Sequence, residues 1–338
     1  MTHGTSNVDA TEGFDPRSVP ARLPFAWWNT KLAALKSTSN PEKKQAHLDA
    51  VIDVVRALIR QQGCLLLGLA EVREQNVFEW VPPEMRADWD VIVEPSTDSR
   101  PFDVVILFDR TRLSLMETRW VRKHHAGYRV RAGLVATFAF ADNSDWLILA
   151  AAHWTSDMGG TKDASDRRMN AAGALQAAIA ASLSDVGSST PVLILGDFNA
   201  EPFDSPFGGG LATARSRAEV QRHRPRNPSD LLFYNAAWRW LSEQYRWGGE
   251  PSPPTLAGTY RQEGKNVPTV WRTFDQVLVS QSLLGSASWS LDERVLDIFQ
   301  DRCVFDEAKS RPCAPFDHLP IVGHLQRSAL PSDRVRQS

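Results

Sequence analysis

The chain has 338 residues, 42% hydrophobic and 23% charged, the balance of a globular protein long enough to bury a substantial core. A formal charge of −2 excludes a global pull towards nucleic acid or an acidic membrane surface, so binding to either needs a local patch. No apolar run approaches membrane-spanning length, no basic-then-apolar leader opens the chain, and Cys64, Cys303 and Cys313 show neither metal spacing nor an even disulfide frame. A reduced, cytoplasmic protein without an integral membrane segment is expected.

Residues 1–22 are polar with scattered Gly and Pro and read as a disordered N-terminal arm, followed by one domain over 23–326 and a tail over 327–338. PFAWWNT (24–30) reads as a first strand. A helix is expected over 41–63, with Asn40 as N-cap, Pro41 in the first turn and Gly63 at the stop. Its Ala50, Val51, Val54, Leu58 and Ile59 share one face, which should pack on a sheet. CLLLGLAEV (64–72) is a strand ending at Glu71, and a run of strands follows at 89–95, 102–109, 113–121 and 131–140. DWLILAAAHWTSD (145–157) carries a strand to His153. A second helix is expected over 163–185, leading into PVLILGDFN (191–199). Residues 200–268 are irregular, with one helix expected over 228–245. TFDQVLVS (273–280) is a strand, 280–316 resists assignment, and DHLPIVGHL (317–325) closes the pattern. Many strands with few helices between them favour an α/β protein with more than one sheet layer.

Polar residues recur where apolar runs stop. Asn29 closes the first strand, Glu71 the second and His153 a later one; Asp197 and Asn199 follow another, Asp275 sits in TFDQVLVS, and Asp317 with His318 opens the last. Any one of these is more often a turn residue or helix cap than a catalyst. Strand ends along one sheet edge are close in space, however, and crowded carboxylates repel unless a cation sits among them. Hard oxygen ligands suit Mg²⁺.

As a set, WWN, GLAEV, AAHW, GDFNAEPFDSP, TFDQVLVS and DHLPI resemble, in order, the motifs of the endonuclease/exonuclease/phosphatase superfamily, the DNase I-like fold. The resemblance runs from Asn29 to Pro320 and implies a four-layered α/β sandwich: two packed mixed β-sheets flanked by helices. It implies hydrolysis of phosphate esters with Mg²⁺ or Mn²⁺, with Glu71 as the principal metal carboxylate and Asn29 and Asp317 near the metal. Asp197 and Asn199 would orient water and a phosphate oxygen, Asp275 would fix the tautomer of His318, and His153 matches the histidine of the DNase I and sphingomyelinase branches. Lys31 departs from the pattern, since many members carry an acid there, and Gln276 stands where Tyr is common.

The chemistry is coherent. A metal ion offsets the charge that a phosphodiester turns against a nucleophile, and either Asp197 or the Asp275–His318 pair could take the proton from water. The basic run at 214–226, with Arg215, Arg217, Arg222, Arg224 and Arg226, reads either as a nucleic-acid grip or as a solvated loop. Most of Trp27, Trp28, Trp154, Trp238, Trp240, Trp247 and Trp271 should be core, with Trp154 and Trp271 as candidates for stacking on bases and Arg168 for holding phosphate. A nuclease acting on DNA rather than RNA is the first expectation. A phosphatase or phospholipase for small phosphoesters, inositol phosphates or sphingolipid head groups is the second, and an inactive binding scaffold the third.

Overall fold

A computed structural model describes residues 22–33, 40–72, 76–94, 103–125, 127–141, 145–156, 162–227, 229–242, 256–262 and 270–327. The expected N-terminal arm before Arg22, the tail beyond Arg327 and Trp247 lie outside these residues. The first half of the chain forms β1 (Arg22–Asn29), α1 (Pro41–Arg60), β2 (Leu66–Ala70), β3 (Trp89–Ile92), β4 (Val105–Asp109), β5 (Leu113–His125) and β6 (Tyr128–Phe140). There follow β7 (Trp146–His153), α2 (Lys162–Val186), β8 (Val192–Asp197), α3 (Pro206–Gly209), β9 (Thr213–Ala214), α4 (Arg217–Arg222) and β10 (Phe233–Asn235). The last part holds β11 (Tyr260–Arg261), β12 (Trp271–Arg272), β13 (Asp275–Val279), β14 (Trp289–Ile298), β15 (Phe305–Asp306), β16 (Arg311–Pro312) and β17 (Ile321–Arg327).

Two large mixed sheets result. One runs β14-β17-β1-β2-β4-β3 and the other β5-β6-β7-β8-β13-β10-β9. Parallel pairs made by helical crossovers lie in both: β1 and β2 joined through α1 in the first, and β7 and β8 through α2, together with the short β9 and β10, in the second. The termini of α1 are written locally. Asn40 Oδ1 accepts from Lys43 N at 3.1 Å, and beyond the last turn Gly63 takes a φ of 62°.

Alternation along the central strands explains the layering. In β7, Leu147, Leu149 and Ala151 face the core between the sheets, whereas Ile148, Ala150 and Ala152 face α2. In β8, Leu193 and Leu195 divide from Val192 and Ile194 in the same way. The small outward residues of β7 meet Ala171, Ala172, Leu175 and Ile179 of α2. On the far side, Val51, Val54, Val55 and Leu58 of α1 cover the first sheet. The order helix, sheet, sheet, helix is the four-layered sandwich of the DNase I-like fold.

The helix expected over 228–245 does not form in its described part. Phe233–Asn235 instead pair with β13 and β9, and a short 3₁₀ turn follows at Ala236–Trp240, capped by Asn235 Oδ1 accepting from Ala237 N. Sheet pairing satisfies this backbone, so helical periodicity in the side chains did not decide it. The unassigned 280–316 segment supplies β14 at the edge of the first sheet and a small hairpin of β15 and β16. Among the described residues no helix is long and apolar enough to cross a membrane.

Gly68 of β2 stands opposite Trp27 of β1, and a Cβ there would lie 2.7 Å from the Trp27 ring. We expect Gly68→Ala to push that ring out of place and cost about 1–3 kcal/mol of stability, the usual penalty for overpacking, read as a lower urea midpoint.

Candidate active site

Topology gathers the candidate residues on one rim. The parallel strands β1, β7 and β8 end there in Asn29, His153 and Asp197, and Glu71 directly follows β2. The antiparallel strands run the other way and so begin there: Asp275 is the first residue of β13, and Asp317 and His318 lie just ahead of β17. His153 and Asp275 are the register partners of Asp197 on its two sides, which sets the three side by side.

Asp197 is the hub. It is 1% exposed, and its Oδ2 accepts from Asn29 Nδ2 at 2.9 Å. The same oxygen lies 3.7 Å from His318 Nε2 and 3.9 Å from His153 Nε2. Its Oδ1 accepts from the backbone N–H of Asn199 at 2.9 Å, and Asn29 Nδ2 also reaches Glu71 Oε1 at 3.2 Å. Burial pushes the Asp197 carboxyl above its ordinary pKa, opposed by His318 and reinforced by Asp275.

Each imidazole has its own carboxylate. His318 Nδ1 lies 2.7 Å from Asp275 Oδ2, and the other oxygen of Asp275 accepts from Trp27 Nε1 at 2.9 Å across the two sheets. Trp28 Nε1 donates to the His318 carbonyl at 3.2 Å, and the Tyr260 ring packs 4.5 Å from the imidazole. Burial disfavours the charged ring, but Asp275 and Asp197 outweigh it and raise the His318 pKa to about 10. His153 Nδ1 lies 3.2 Å from Asp103 Oδ2, an ion contact without hydrogen-bond alignment. Its pKa rises to about 9, burial again opposing and Asp103 first among the groups that raise it. Sequence reading missed Asp103, Trp27 as a partner of Asp275, and Tyr260. The strand-end rule that found Glu71 could have found Asp103, which lies just ahead of β4, whereas nothing marks Tyr260.

Asp317 meets Lys31 Nζ at 2.7 Å through Oδ2, while its Oδ1 is buried and has no hydrogen-bond partner among the described residues. A buried, unsatisfied carboxylate oxygen fits a hard cation. Asp197, Asp275 and His318 also bring ligand atoms within 4.8 Å of one another, but those atoms already bond to Asn29, Asn199 and each other. Lys31, Glu71 and Asn199 hold left-handed φ values of 59°, 58° and 47°, conformations that cost energy and cluster at functional sites.

Other expectations need correction. Trp154 is no stacking platform: it is 1% exposed, donates Nε1 to the Ala132 carbonyl at 2.9 Å and packs on Phe198 and Phe207. It serves the site only through its carbonyl, which accepts from Asn199 Nδ2 at 3.1 Å. Arg168 is buried rather than a surface arginine, and it donates to the Thr155 carbonyl at 3.3 Å. Trp271 is half-buried in β12, in register with Arg261. The basic run is only partly a loop: it holds the end of β9 and all of α4, while Arg215, Arg222, Arg224 and Arg226 are exposed. Arg217 pairs with Glu293, Arg215 lies over Trp238 at 5.4 Å, and Arg222 and Arg224 bond to nearby carbonyls.

A sequence profile described as Endonuclease/Exonuclease/phosphatase family matches residues 32–230, more than half of the chain. The chain belongs to that family of phosphoester hydrolases, whose members are typically dependent on a divalent metal. No protein among curated sequences matches it. Solved structures share its fold. ANGEL2, described as a 2′,3′-cyclic phosphatase in complex with adenosine-2′,3′-vanadate, has 15% identity and TM-score 0.59, the match covering 91% of this chain and 96% of that one. The mannosyl-6-phosphatase of Bacteroides thetaiotaomicron has 13% identity and TM-score 0.56 over 90% and 99%. TDP2 of D. rerio, complexed with single strand DNA product, has 16% identity and TM-score 0.54 over 91% and 100%.

The pairing of His318 with Asp275 can be read directly. In metal-stripped protein the His318 ring should titrate by NMR far above the ordinary 6.5, near 10, and Asp275→Asn should bring the midpoint sharply down because burial then acts with less opposition. Since the folded pKa exceeds the unfolded one, this charge stabilises the fold fully below about pH 6.5. That stability should be lost as pH rises through about 10.

Proposed function

We propose that the protein is a Mg²⁺- or Mn²⁺-dependent phosphodiesterase acting on nucleic acid, DNA ahead of RNA, with one catalytic domain over 23–326. The observation that carries this reading is the double pairing around Asp197: two imidazoles, each backed by its own carboxylate, converge on one buried oxygen. A second histidine of this kind at the strand end is the feature that the DNase I-like resemblance assigns to diester-cleaving branches. The DNA-bound TDP2 and nucleotide-bound ANGEL2 structures support a nucleotide substrate by analogy of fold. The free thiols of Cys64, Cys303 and Cys313 fit a reducing compartment and a cytoplasmic setting.

In this reading Glu71 and Asp317 would hold the metal beside Asn29, and the chemistry such an ion would supply is offsetting of phosphate oxygen charge and stabilisation of the leaving alkoxide. Asp197, its pKa raised by burial, takes the proton from the attacking water. His318 presents Nε2–H to a phosphate oxygen while Nδ1–H donates to Asp275, so it acts as a fixed cation. His153, held charged by Asp103, supplies the proton to the leaving oxygen. Asn199 adds a neutral donor whose orientation is fixed by the Trp154 carbonyl, while the amide of Asn29 ties Asp197 to Glu71. Trp271 and Arg168 are assigned to the substrate side, the first by ring contact and the second through the Thr155 backbone.

One observation favours the small-substrate alternative: Arg217 is committed to Glu293 and Arg215 covers Trp238, which leaves the basic run less able to grip a polymer. The readings separate when purified protein meets plasmid, single-stranded DNA, RNA, bis-nitrophenyl phosphate and mannose 6-phosphate with Mg²⁺, Mn²⁺ or a chelator. Metal-dependent cleavage of nucleic acid supports the first, turnover of monoesters alone the second, and silence from folded protein an inactive scaffold. Asp197→Ala and His318→Ala should each lower kcat by at least ~10² on the best substrate. Near-wild-type turnover by either folded variant would remove that residue from the chemistry.

A further inference from the structure

The chain turns back on itself as soon as it leaves β1. Asn29 Oδ1 accepts from the Lys31 backbone N–H at 3.0 Å, and Lys31 takes a left-handed φ of 59°. Its side chain reaches Asp317, where Nζ meets Oδ2 at 2.7 Å. The amide of Asn29 lies 3.2 Å from Glu71 Oε1, so a continuous run of contacts joins Lys31 to both carboxylates assigned to the metal. His47, buried on α1, bonds to the Thr30 carbonyl at 3.0 Å. Burial lowers its pKa, and the charges of Lys31, Asp317 and Glu71 all act on it, which puts the three in one neighbourhood. The two oxygens of Asp317 differ in their surroundings. Oδ2 holds the ammonium, whereas Oδ1 is buried and has no hydrogen-bond partner among the described residues.

We propose that Lys31 is an internal competitor of the divalent ion: its ammonium takes one oxygen of Asp317, leaves the other to the ion and weakens the ion's hold. The inference rests on the reading in which Glu71 and Asp317 hold a metal. Affinity for a hard cation follows the charge that its oxygen ligands offer. Glu71 and Asp317 are two carboxylates, and Lys31 offsets one of them. A cation on Oδ1 and the ammonium on Oδ2 would also repel each other across a single carboxylate, well inside the ~8 Å screening length of physiological salt. The side chains of Lys31 and Asp317 are 36% and 20% exposed, so solvent moderates that repulsion without removing it. When no ion is bound, the ammonium keeps Asp317 from standing as an unpaired charge. Ion occupancy then follows the free concentration of the ion, and the rim keeps its shape without it. A lysine that merely positioned Asp317 would have the opposite effect, since its loss would weaken ion binding.

The sign of the effect is the test. Full-length protein is stripped of metal and titrated with Mn²⁺, the free ion being read by electron paramagnetic resonance. Lys31→Met keeps an unbranched side chain without the charge and should bind Mn²⁺ at least about tenfold more tightly than wild type. Lys31→Arg keeps the charge and should stay near wild type. Thermal unfolding gives a second readout: at one fixed Mn²⁺ concentration, Tm should rise further in Lys31→Met than in wild type, because stabilisation by a ligand grows as its Kd falls. Lys31→Gln takes the place of Lys31→Met should that variant fail to fold. Binding by the uncharged variant that equals or falls below wild type overturns the proposal and leaves the metal reading standing, as does a Lys31→Arg variant that binds as tightly as Lys31→Met. Binding by Lys31→Met with none by wild type upholds the competition and overturns the metal-dependent reading of the natural chain. Absence of binding by both overturns the two together.

Discussion

A carboxylate sealed between two apolar sheets is costly unless charge or hydrogen bonds meet it, and Asp197 is such a group. Everything near it answers that constraint. Asn29 and the Asn199 backbone donate to its two oxygens, and His153 from the adjoining β7 and His318 from just ahead of β17 in the other sheet approach the same Oδ2. The imidazoles in turn need Asp103 and Asp275 to stay charged in a buried setting, and Asp275 needs Trp27. Removing one member exposes the next to an uncompensated burial cost, so the cluster acts as a unit rather than as separate contacts.

The fold supplies what that unit requires. The parallel pairs β1–β2 and β7–β8 bring strand ends to a common rim, and antiparallel strands flanking them begin there, so groups separated by up to 290 positions meet without long loops. Because β8 pairs with β7 on one side and β13 on the other, the row His153, Asp197, Asp275 is fixed by backbone register. A one-residue slip would turn all of them to the opposite face. The apolar alternation of β7 and β8, locked between α2 and the inner core, guards against it.

Much of this was legible beforehand, for physical reasons. Long alternating or continuous apolar runs mark strands, Asn40 and Gly63 mark a helix, and polar residues stranded at the ends of buried runs mark the rim. The illegible parts share a cause: tertiary contacts overrode local signals. The 228–245 stretch has helical spacing, yet its backbone completes a sheet edge. Trp154 stands beside His153 in sequence, yet strand geometry turns its ring into the α2 layer. Tyr260 lies in an irregular stretch that carries no periodicity, and only its bridge to His318 reveals its place. Lys31 was visible as a departure, but its contact with Asp317 was not.

What unites the rim is its many carboxylate oxygens, with Asp317 Oδ1 buried and left unsatisfied among the described residues. A divalent cation is expected there, and direct titration of Mn²⁺ into metal-stripped protein, followed by electron paramagnetic resonance, tests this most simply. Saturable binding that weakens about tenfold or more in Glu71→Gln is the expected result, since affinity for hard cations follows the number of charged oxygen ligands. Absence of saturable binding by wild type, or equal binding by a folded Glu71→Gln variant, would contradict it.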